Sequence, residues 1–372
     1  ERRKRGLPEL QRANKLEDTQ YYKQSMFGAN GGFINFAATI TTDESQFAIA
    51  PGYLKSETVT DGRRTFRYEM DSPIINFYAI LSARLESKKI THNGVNVEVY
   101  YHQDHTWNVD RMIESVTDSI DYFSAEFGPY QHKQMRIIEF PGYESFAQSF
   151  ANTVPYSEQI GFITDNRDST KVDVPYYVTA HEVAHQWWGH QVTGANVQGA
   201  AVLSESLSQY SAIMVLKKKY GEQKLRKFLK YELDKYLQGR SVEAYQEMPL
   251  YKVESQAHIY YQKGSVVMMA MHDLFGEERL NSILKEFVSD FKYQSNPYPT
   301  TLDLLSYLKR DATPAEQAFI DDQFMYITLY ELTMKEAKVS DEADSDGLYT
   351  VTLTVEAAKK RADGQGEEAE QP

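Results

Sequence analysis

The chain has 372 residues, of which 41% are hydrophobic and 13% aromatic, enough for a large buried core spread over two or three domains. Its 53 Asp and Glu against 40 Lys and Arg give a formal net charge of −13, which excludes the broad phosphate-neutralising surface of a nucleic-acid partner. Cysteine is absent, so disulfides, thiolate metal sites and a cysteine nucleophile are excluded as well.

Residues 1–28 are polar, with Leu7, Leu10 and Leu16 their only leucines, and read as a linker or peripheral segment. The opening Glu1-Arg2-Arg3-Lys4-Arg5 is basic but no apolar core follows it, and no run of about 18 apolar residues occurs anywhere, so neither a signal peptide nor a membrane span is expected within the chain. The non-methionine start and the polar end from Ala362 to Pro372 read as a fragment of a longer protein. From Gly31 the pattern turns strand-like: runs at 33–40, 46–50, 64–70 and 74–83, and an alternating run at 96–101 after the turn pair Asn93-Gly94. Residues 29–107 are therefore expected to be part of an N-terminal antiparallel β domain.

A helix capped by Asn108 is predicted up to Gly128, then a strand over 134–140 stopped by Pro141-Gly142, then a short strand over 158–164. Helices follow over 175–189, 200–220, 222–237, 256–275, 278–291 and 302–311, and Pro314 opens a last one through Phe324. This mostly helical domain spans 108–328. Residues 329–372 read as the start of a truncated β domain with a polar tail. The fold class is α+β.

One motif carries chemistry. His181-Glu182-Val183-Ala184-His185 reads H-E-x-x-H, and on a helix residues i and i+4 differ by about 40° of rotation, so both imidazoles leave one face and can share a metal ion. Zinc suits such donors, and Glu182 reaches the same pocket without being a ligand. The third ligand is expected from a second helix, where Glu205 is the one carboxylate in the small and apolar stretch Ala201 to Tyr210; a buried carboxylate left unpaired is costly.

H-E-x-x-H-Q-W-W-G followed by a glutamate some twenty residues on resembles the gluzincin aminopeptidases, the aminopeptidase N and leukotriene hydrolase family. The resemblance implies a thermolysin-like, mostly helical catalytic domain with a small β-sheet, one Zn²⁺ per chain, and peptide substrates. In that family eighteen residues separate the second histidine from the ligand glutamate. Here nineteen do, and the family-spaced position holds Ser204; the ligand role is assigned to Glu205, with the extra residue expected in the Gly189–Gly199 connection. Tyr261-Gln262-Lys263-Gly264 resembles the family's Y-x-K-G signature, which makes Tyr261 the expected oxyanion donor. Pro155-Tyr156-Ser157-Glu158 stands where the family carries G-x-M-E-N on an edge strand. By that resemblance Glu158 binds the free α-amine of a peptide, with Tyr156 and Ser157 beside it; His258, three residues before Tyr261, is a further candidate for the same pocket. Trp187, Trp188 and His190 are expected to be packing or helix-end residues.

The reaction implied is removal of N-terminal residues by a zinc-activated water with Glu182 as general base. Two other readings compete: a zinc endopeptidase or other hydrolase without an amine anchor, and a non-catalytic binding or sensor module of a membrane transporter. The third arises because Gln186 to Val192 with Gly194 to Gly199 looks like a bacterial branch fused to transporter-type permeases, which implies a parent anchored in a membrane outside these residues.

Overall fold

The computed structural model describes residues 2–8, 12–168, 171–365 and 368–371; Glu1, Leu10 and Pro372, named above, lie outside these. The first described residues form short 3₁₀ turns at Arg3–Arg5 and Thr19–Lys23. They act as a strap across the catalytic part. Leu16 is 1% exposed and packs with Ala195, Val197 and Tyr298, and backbone bonds run from Met26 to Gly194, Asn196 to Gln24 and Gln198 to Asn14.

Nine strands follow: β1 (Phe33–Ile34), β2 (Ala37–Asp43), β3 (Phe47–Ile49), β4 (Tyr53–Thr60), β5 (Arg63–Glu69), β6 (Ile74–Ile75), β7 (Leu81–Ala83), β8 (Glu86–His92) and β9 (Val95–Tyr101). The first seven make small antiparallel ladders, β2-β5-β4, β1-β6 and β3-β7, around a core of their own that includes Phe36, Phe66, Tyr68, Met70 and Ile74. Helix α1 (Val109–Glu126), strand β10 (Gln134–Phe140) and strand β11 (Thr153–Ser157) come next. The sheet β11-β10-β9-β8 crosses the boundary expected at residue 107, because β9, β10 and β11 run parallel to one another. All seven residues of β10 are buried, as expected for a central parallel strand covered on both faces. Two of them are charged, Arg136 and Glu139; Arg136 donates from Nη2 to the Ala50 carbonyl and to Thr153 Oγ1 (2.8 Å), tying the sheet to the preceding β unit.

The helical part continues with α2 (Val174–Ala184), α3 (Leu207–Tyr220), α4 (Glu222–Val242), α5 (Gly264–Phe275), α6 (Glu277–Phe291), α7 (Thr301–Arg310) and α8 (Pro314–Phe324). Two π-helical turns, Val202–Ser206 and His258–Lys263, precede α3 and α5. Their common core joins Val97 and Val99 to Trp187, Trp188, Leu203, Tyr210, Met268 and Leu304. Strands β12 (Ile327–Val339), β13 (Val351–Ala362) and β14 (Glu368–Gln371) close the chain as an antiparallel sheet whose first two strands are largely exposed. No helix among the described residues is long and apolar enough to cross a membrane.

Candidate active site

Helix α2 starts where Asp173 accepts the Tyr176 N–H (3.2 Å) and Pro175 occupies the first turn. His181 and His185 leave one face of it with their Nε2 atoms 3.0 Å apart. The His185 Nδ1–H donates to the Trp188 carbonyl (2.9 Å), with Ser208 Oγ at 3.1 Å, so its Nε2 is the free ligand atom. Past His185 the chain tightens and reverses at Gly189, whose φ of 126° suits glycine. Both tryptophans are fully buried, their indole N–H groups donating to Gly128 O (2.9 Å) and Ser211 Oγ (2.8 Å).

The third donor comes from the first π turn. Glu205 Oε2 lies 3.3 Å from each Nε2, while Oε1 accepts from Ser204 Oγ at 3.4 Å. A π turn bonds i to i+5 and so holds one residue more than an α turn. Glu205 sits on such a turn, Val202–Ser206. The three donor atoms stand 3.0, 3.3 and 3.3 Å apart. Tetrahedral zinc with bonds of about 2.0–2.1 Å requires about 3.3–3.4 Å between ligands. The residues fit the ion.

Charge supports the same conclusion. Burial alone would lower His185, but the Glu205 carboxylate outweighs it and the imidazole is pushed up to about 9. Burial opposes ionisation of Glu205, yet the two imidazoles hold its carboxyl well below the usual range. The trio is built around positive charge. Glu182 is 6% exposed, has a carboxylate oxygen within 4.8 Å of the histidine donors, and leaves Oε2 without a hydrogen-bond partner among the described residues. Burial raises its carboxyl above the ordinary value, which favours taking a proton.

Tyr261 sits on the second π turn, its ring 5.8 Å from that of His181. Burial first, and the Glu205 carboxylate second, keep the phenol protonated far above its ordinary range, as a hydrogen-bond donor must be. The two π turns are latched together. Ser206 Oγ donates to the Tyr260 carbonyl (2.6 Å), and a Cβ on Gly264 would stand 2.2 Å from Ser206 Oγ. Glu205 and Tyr261 are thus placed by one contact between adjacent residues.

The expected substrate-side residues fare differently. The strand predicted over 158–164 is a turn, with Gly161 N–H bonded to Ser157 O and Phe162 N–H to Glu158 O. Its carbonyls at Gly161 and Thr164 accept from Asn108 Nδ2 (2.8 and 2.9 Å); Asn108 stands at the N-cap of α1 as predicted, without a side-chain cap hydrogen bond. The strand is β11, just before it. Tyr156 and Ser157 lie on β11 at 0% exposure, sealed from any substrate, with Ser157 Oγ donating to Glu144 O (2.6 Å). Glu158 accepts the Gly142 N–H (2.8 Å) and faces His105; its described partners are on the sheet, not on α2. His258 stacks on Tyr236 of α4 and against Gly239, away from the zinc donors, because three positions no longer share a face on a π turn.

What lies beside α2 instead is the run 146–150, bridged antiparallel to β11 at Ala147–Tyr156 and Phe150–Thr153. Ser149 Oγ donates to Glu182 O and accepts from Gln186 Nε2 (both 2.8 Å), and Gln186 also holds Phe150 O and Asn152 N–H. Sequence reading assigned no role to Ser149 or Gln186. The available signal was the alternation of Phe146, Gln148 and Phe150 before the turn at Asn152, which has a φ of 47°.

Residues 111–324 match the model of the peptidase family M1 domain. The chain belongs to peptidase family M1. Family M1 relatives include endoplasmic reticulum aminopeptidase 1 of Rattus norvegicus, 21% identical over 70% of this chain and 29% of its own length. Aminopeptidase M1-B of Oryza sativa subsp. japonica is 22% identical over 86% of this chain and 38% of its own. Among solved structures, the M1 zinc metallopeptidase of Deinococcus radiodurans superposes with a TM-score of 0.61 at 20% identity, covering 78% of this chain and 64% of that one. The chain thus spans roughly a third of these two curated relatives. The cofactor of this M1 domain is zinc, and His181, His185 and Glu205 are the donors placed to hold it.

Proposed function

We propose that this M1 domain hydrolyses peptide bonds with zinc, releasing residues from the amino terminus of peptides. One observation carries the reading: three donors at zinc spacing with a buried carboxylate and a protonated phenol beside them. Zinc, when bound, supplies a Lewis acid and lowers the pKa of a water. Glu182 takes the proton of the attacking water and returns it to the leaving amine. Tyr261 donates to the oxygen that becomes negative as the carbonyl turns tetrahedral. Its replacement, Tyr261→Phe, is expected to lower kcat by about 10²–10³-fold with KM nearly unchanged, the usual cost of one oxyanion donor; steady-state kinetics on a peptide reporter check this.

The named relatives are aminopeptidases, which favours amino-terminal cleavage. A second reading, cleavage without an amine anchor, is favoured by the partners of Glu158, whose carboxylate is held by Gly142 and His105. Free and N-acetylated forms of one peptide separate the two. Cleavage of the free form alone supports the aminopeptidase, and equal rates on both leave only the second reading. The likeness to permease-fused proteins adds the proposal that the parent is held at a membrane by segments outside these residues.

A further inference from the structure

We propose that His105, Glu139 and Glu158 form a second divalent-cation site, separate from the peptidase zinc, with one imidazole and two carboxylates suited to zinc or manganese. The topology gathers them. β9, β10 and β11 are parallel neighbours, so their carboxyl ends lie side by side. His105 follows β9, Glu139 is the penultimate residue of β10, and Glu158 comes directly after β11. The crevice beyond the carboxyl ends of parallel strands is where such sheets bind ligands.

The donors converge: one ligand atom from each lies within 4.8 Å of the others. His105 Nδ1 is hydrogen bonded to Glu139 Oε1 and lies 3.8 Å from Glu158 Oε2. Each carboxylate is aimed by a backbone N–H on its other oxygen, His102 to Glu139 Oε2 (2.7 Å) and Gly142 to Glu158 Oε1 (2.8 Å). Such outer contacts are what fix first ligands in metal sites.

Charge is unbalanced there. Glu139 is only 5% exposed, and among the described residues neither carboxylate has a Lys or Arg within 4 Å; the one basic side chain beside both is His105. One imidazole can offset at most one of the two carboxylates, so a negative charge is left over beside the buried Glu139. The nearby cations are committed elsewhere, Arg111 to Asp173 and Arg167 to Asp165. His105 also lines a cavity of 700 Å³ with Trp107, Asn108 and Arg111, so one of the three donors borders open space. The competing account is a proton shared between His105 and Glu139, with Glu158 merely nearby.

The test is metal stoichiometry on the whole chain, stripped of metal and titrated with Zn²⁺ and separately with Mn²⁺. Two zinc equivalents are expected in the wild type, one in His181→Ala/His185→Ala, and one in His105→Ala or Glu158→Gln. In the His181→Ala/His185→Ala background, added Mn²⁺ is expected to raise the Tm, because an ion that binds only the folded state stabilises it; adding His105→Ala removes that rise. A single equivalent in the wild type overturns the proposal, as does a second equivalent that survives both His105→Ala and Glu158→Gln. Should His105→Ala not fold, Glu158→Gln, at 28% side-chain exposure, gives the same readout. Should that fail too, the equivalent left in His181→Ala/His185→Ala decides by its presence or absence. None of these outcomes depends on peptidase activity.

Discussion

Replacing Glu182 by glutamine is expected to lower kcat by about 10²–10⁴-fold, the range general acid–base catalysis contributes, while the zinc content stays that of the wild type. The amide keeps the shape of the side chain and removes the base. Nothing else nearby can take over. His181 and His185 would hold the metal through Nε2, Glu205 is their ion-pair partner, and Tyr261 is held protonated. Among the described residues Glu182 Oε2 and Glu205 Oε2 are the carboxylate oxygens of the site without a hydrogen-bond partner, and the latter stands 3.3 Å from both imidazoles, which leaves Glu182 as the base. The check pairs single-turnover kinetics with metal analysis of the same sample. Wild-type turnover with zinc still bound would remove Glu182 from the mechanism.

The second large effect concerns Glu205. Glu205→Ala is expected to abolish activity and release zinc to a chelator that leaves the wild type loaded, because the two buried imidazoles lose the carboxylate that stands 3.3 Å from both. A stronger test moves the carboxylate back one position, Ser204→Glu with Glu205→Ser, which recreates the more usual spacing. That variant is expected to stay inactive and metal-poor. Along a helix one residue is a rotation of about 100°, and the π turn over Val202–Ser206 directs position 205, not 204, at the histidines. Isothermal titration with zinc reads the result. Recovery of tight binding would show that the turn can relax into an α turn, and that its contact to the second π turn does not hold it.

That turn also marks the limit of what could be read from one chain of letters. The H-E-x-x-H spacing is local: two side chains one helical turn apart face the same way in any α-helix, so the metal pair and the base beside it were legible. So were β10, whose apolar run ends at Pro141-Gly142, and the helix opened by Pro314. Glu205 was found as the one carboxylate in an apolar stretch, although the device that aims it was not, since a π turn is stabilised by what the helix packs against. Here that is the Tyr260 carbonyl and Gly264, more than fifty residues on. The substrate-side strand was misplaced for a related reason. Residues 158–164 have strand-like composition, but Asn108 takes the carbonyls that a ladder would need. Which backbone groups pair is decided between distant segments.

What the sequence by itself determined, then, is the chemistry available: two imidazoles and a carboxylate on one helix, a second carboxylate in an apolar neighbour, and a tyrosine in a recognisable setting. Tertiary structure alone decided how these meet, because a donor separation of 3.0–3.3 Å is a property of packed helix faces and not of spacing along the chain. It also decided that Glu158 belongs with His105 and Glu139, three residues drawn together only because three strands lie parallel and end at the same edge.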